Sequence, residues 1–127
     1  MSWTLYLEAE PLCPHCGRGC GEREIGNITW NVSPMVEYVW QKIGCDLRGV
    51  DREPGNDDNA WKRLSGHNLA DVIGHIVAAY AWWRENEAEL EPMNPPNGWG
   101  STKCLERIYK AFIEAYDDGC RGKVRLS

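Results

Sequence analysis

The feature that most constrains this chain is an apolar stripe through its middle. Leu69, Val72, Ile73, Ile76, Val77, Tyr80 and Trp83 recur at three- and four-residue spacing, and Pro92 closes the stretch. That spacing belongs to one face of an α-helix, so residues 68–90 are expected to form a long helix. Such a helix is held mainly by packing its apolar face, and it needs a partner. The chain supplies one after Ser101, a hydroxyl suited to a helix N-cap, where Leu105, Ile108, Phe112 and Ala115 share a face. The core is expected between these two helices, from Ile73, Ile76, Val77, Tyr80, Leu105, Ile108 and Phe112. A further helix is expected from Ser33-Pro34, with the serine as N-cap and proline at the first helical position. Met35, Val36, Val39, Trp40 and Ile43 follow at helical spacing, and Gly44 stops it.

The two ends read differently. Trp3, Leu5 and Leu7 alternate with Thr4, Tyr6 and Glu8, the period of a half-buried strand. Residues 22–29 offer a returning strand, and Val124 and Leu126 alternate again near the other end. The expected fold is α+β, a small sheet of N-terminal and C-terminal strands packed against about three helices. At 127 residues the chain is read as a single domain over 1–127. Residues 46–59, rich in Asp, Gly, Asn and Pro, read as a loop.

Charge and composition exclude some functions. The chain carries 14 basic and 19 acidic residues, a net charge of −5, and no basic run longer than Lys62-Arg63. Phosphate backbones and anionic membranes call for a basic field, so non-specific nucleic-acid binding and membrane binding are not expected. The first ten residues lack the basic start and apolar centre of a secretory leader, and residues 76–83 are too short an apolar run to span a bilayer. The expected location is cytoplasmic. There the six Cys are read as thiols or metal ligands, not disulfides. The seven Trp and five Tyr suit a core first, and a pocket or interface second.

Three segments carry the candidate chemistry. Cys13, His15, Cys16 and Cys20 sit in a Gly- and Pro-rich turn over residues 11–21. A CxxC on such a turn suits half of a zinc site, with Cys13 and Cys16 as ligands and Cys20 or His15 as the third. A second CxxC is missing, so a metal-free reduced turn and a redox pair stay open beside zinc. Glu85, Glu87, Glu89 and Glu91 crowd the end of the long helix, where like charges and the macrodipole both oppose them. They read as a solvated end or as an acidic surface. Asn27, Thr29, Trp30, Asn31 and Ser33, with Asn94, Asn97 and Trp99, pair short polar side chains with indoles. Such side chains satisfy turns and caps, or line a polar pocket with aromatic walls. The two segments are expected to meet, since each opens a helix.

Residues 27–35 (NITWNVSPM) and 94–100 (NPPNGWG) together resemble a family of small bacteriophage proteins, found especially in phages of actinobacteria. The shared pattern is a CPxC-type turn, N-[IY]-T-H-N-V-x-P-M, a helix, N-P-x-N-G-W-G, another helix and a terminal strand. It extends in order over most of the chain. Trp30 stands where the family has His, so any metal role of that His is lost here. The family carries no settled activity. The resemblance therefore implies context: a phage-encoded accessory protein that acts by binding a host or phage protein. The alternative is a small-ligand or nucleotide-binding protein using the Asn/Trp segments. A metal-dependent enzyme ranks third, on a faint likeness of residues 68–83 to helical DinB-type domains whose His ligands are missing.

Overall fold

The computed structural model describes residues 2–10, 14–16, 19, 21–50, 60–95 and 100–127. They form a three-stranded antiparallel sheet and three α-helices. β1 (Ser2–Leu7) lies at the centre, between β2 (Arg23–Thr29) and β3 (Val124–Leu126). The expected pairing of the two chain ends is thus present and antiparallel. It continues past the strands, where Thr4 and Ser127 exchange backbone bonds of 2.9 and 3.0 Å. Leu5, Leu7, Ile25, Ile28 and Val124 are buried. Ile25 and Ile28 are three apart, which a strict two-residue period would put on opposite faces. The register shift between Leu5 and Tyr6 resolves this, because Leu5 faces Gly26 and Tyr6 faces Glu24. The extra residue on β2 turns both isoleucines inward.

α1 spans Ser33–Lys42, α2 Leu69–Leu90 and α3 Thr102–Asp117. Proline occupies the first turn of α1 as expected, but Val32 holds the N-cap and no side chain caps it. The buried Ser33 hydroxyl instead accepts from the Ala60 backbone N–H at 2.8 Å. A distant orphan donor, which burial makes costly to leave unpaired, has taken the hydroxyl expected at the cap. Ala60 opens a 3-10 turn (Ala60–Leu64) that buries Ala60, Trp61 and Leu64. Trp61 meets Trp40 of α1 and Tyr109 of α3, with ring centroids 6.1 and 5.7 Å away. Arg63 in that turn pairs with Glu37 and donates to the carbonyls of Cys45 and Leu47. The Arg63 guanidinium holds the Glu37 carboxyl below its usual range.

The helical core is close to the expected one, with one correction. Ile76, Leu105, Ile108 and Phe112 are fully buried, and Ile73 and Tyr80 partly so. Val77 is 48% exposed. The apolar stripe of α2 is wider than the surface that α1 and α3 cover, and Val77 falls outside their reach. α2 also breaks at Asn86, where φ is −130°. The Asn86 side-chain amide donates to the Trp82 carbonyl at 3.0 Å, the acceptor its backbone N–H serves in a regular helix.

Candidate functional site

The two motif segments meet where α3 begins. Gly100 lies against residues 29–32 so closely that a Cβ there would sit 2.7 Å from Val32 Cγ1 and 3.2 Å from Thr29 Oγ1. Its φ of +101° also excludes other residues without strain. Next to it, Ser101 accepts from the Lys103 N–H at 3.3 Å, the cap expected from its hydroxyl.

Thr102 is the hub of this junction. Its backbone N–H donates to Asn94 Oδ1 at 3.2 Å, and its hydroxyl donates to Glu87 at 2.7 Å. Its carbonyl accepts from the Trp83 indole at 3.1 Å. Asn94 also donates to Glu91 at 2.9 Å, so its amide is used at both ends. On the opposing segment, the Asn27 Oδ1 accepts from the Thr4 hydroxyl at 2.9 Å, and its carbonyl accepts from Arg107 at 3.3 Å. Thr29 is half-buried, whereas Asn31 is exposed at the rim. The junction is therefore a clasp that uses both ends of the Asn94 amide and the Asn27 Oδ1, while Asn27 and Asn31 are both exposed. The Trp30 side chain, Asn97 and Trp99 lie outside the described residues.

The acidic end of α2 belongs to the same neighbourhood. Glu87 binds Thr102 and lies 3.3 Å from Lys103 Nζ, Glu89 accepts from the Tyr38 hydroxyl at 3.1 Å, and Glu91 accepts from Asn94. These acids oppose the helix dipole, yet Glu87 has donors from α3, Glu89 one from α1, and Glu91 one from Asn94 three residues on. Lys103 also sits 5.1 Å from the centre of the Trp83 ring. Periodicity could not show the pairings of Glu87 and Glu89, because their partners lie on α3 and α1.

Of the candidate metal ligands, His15 and Cys16 are exposed in a turn, while Cys13 and Cys20 lie outside the described residues. Among the described residues no three His, Cys, Asp or Glu side chains are placed to share a metal ion. Cys45 and Cys120 are buried and Cys104 is half-buried at the start of α3. No helix is long and apolar enough to cross a membrane among the described residues. The chain matches no family model, no curated protein and no solved structure.

Proposed function

We propose that this chain is a phage-encoded accessory protein that acts in the cytoplasm by binding a host or phage protein. The supporting observation is the junction of residues 27–32 with Gly100. It brings Gly100, the end of one segment that carries the family resemblance, against Thr29 and Val32 of the other, with Asn31 exposed beside them. A surface held by close packing of this kind loses little freedom on association, which favours recognition of a preformed partner. The small-ligand alternative needs at least one Asn amide and one Trp face open in a concavity; Asn94 does not supply that amide, because both of its ends are occupied.

The test is affinity capture from host and infected-host lysates with the wild-type chain and Asn31→Ala, alongside thermal melting. One protein retained by the wild type and lost by Asn31→Ala, at unchanged melting temperature, supports the reading. Equal capture by both, or loss only with loss of folding, removes the rim as the binding surface. Metal analysis of the same sample tests a structural zinc on Cys13, Cys16 and either Cys20 or His15. Near-stoichiometric zinc that disappears in Cys13→Ser supports it, and metal-free protein of full stability overturns it.

A further inference from the structure

We draw no further inference here: the strongest candidate, the buried cluster of Trp40, Trp61 and Tyr109 between α1, the 3-10 turn and α3, where the Tyr109 hydroxyl has no hydrogen-bond partner among the described residues, carries nothing, because nothing in the structure shows a cavity or ligand that this hydroxyl faces.

Discussion

The two faces of α2 both lack charge between Asp71 and Arg84, yet they have opposite fates. Ile76 and Val77 are neighbours in sequence and alike in chemistry, yet Ile76 is fully buried and Val77 is 48% exposed. Apolar periodicity identifies which residues benefit from burial. Which of them obtain it depends on the width of the elements packed alongside, and that is set by tertiary structure. The inner face is also tied down by polar groups at its end, through Trp83, Glu87 and Thr102, whereas the outer face is exposed.

Substitutions can break this comparison, and the largest effect belongs to the inner face. Ile76→Ala is expected to destabilise by about 2–5 kcal/mol, the range for a fully enclosed aliphatic side chain. Chemical denaturation measures it, and a loss under about 0.5 kcal/mol, the scale of a surface change, would contradict the packing described. Thr102→Val keeps the shape but removes the hydroxyl donated to Glu87, and is expected to cost about 1–2 kcal/mol. A neutral result would show that the clasp is incidental to the inner face.

Tyr109→Phe has the opposite sign. The Tyr109 hydroxyl is fully buried and has no hydrogen-bond partner among the described residues. Burial raises its pKa, so it stays neutral at any ordinary pH. Removing an unpaired buried hydroxyl is expected to stabilise by about 1 kcal/mol. A destabilised variant would show that the hydroxyl has a partner in solution.

Acid sharpens the comparison further. Glu37 titrates below its usual value because of Arg63, so their pairing contributes fully above the unfolded carboxylate value and is lost as pH falls through the folded one. With Glu37 about a third exposed, the contribution is expected to stay under about 1 kcal/mol. Glu37→Gln should therefore lose stability at neutral pH and converge on the wild type in acid. Parallel stability curves at every pH would contradict it. The smallest effect belongs to the outer face. Val77→Ala, measured by chemical denaturation, is expected to change stability by under about 0.5 kcal/mol.

Much of this architecture was legible in the residues themselves. Alternation located β1 and β3, and three-to-four spacing located the helices, since both report the same local geometry that the backbone adopts. The 3-10 turn at Ala60–Leu64 was not legible, because Trp61 has no periodic companions and its burial depends on Trp40 and Tyr109 from elsewhere. The meeting of residues 27–35 with Gly100 was foreseeable from two turn-rich segments that each open a helix. The fate of individual polar groups was not. Ser33 was expected at a cap and serves Ala60, and Asn94 is spent while Asn31 is exposed, because hydrogen bonds are allotted by distance in space.

The central position of β1 has a consequence for the order of events during synthesis. One of its edges is covered by β2, which emerges soon after it. The other waits for Val124–Leu126 and for the Thr4–Ser127 pairing. At ribosomal speeds that interval is roughly 6–25 s. For that time the nascent chain carries an open strand edge beside Leu5 and Leu7, the kind of edge that invites pairing with other chains. A chaperone that shields this edge, or a slow stretch of translation before β3, would therefore change the yield of folded protein without altering its final stability.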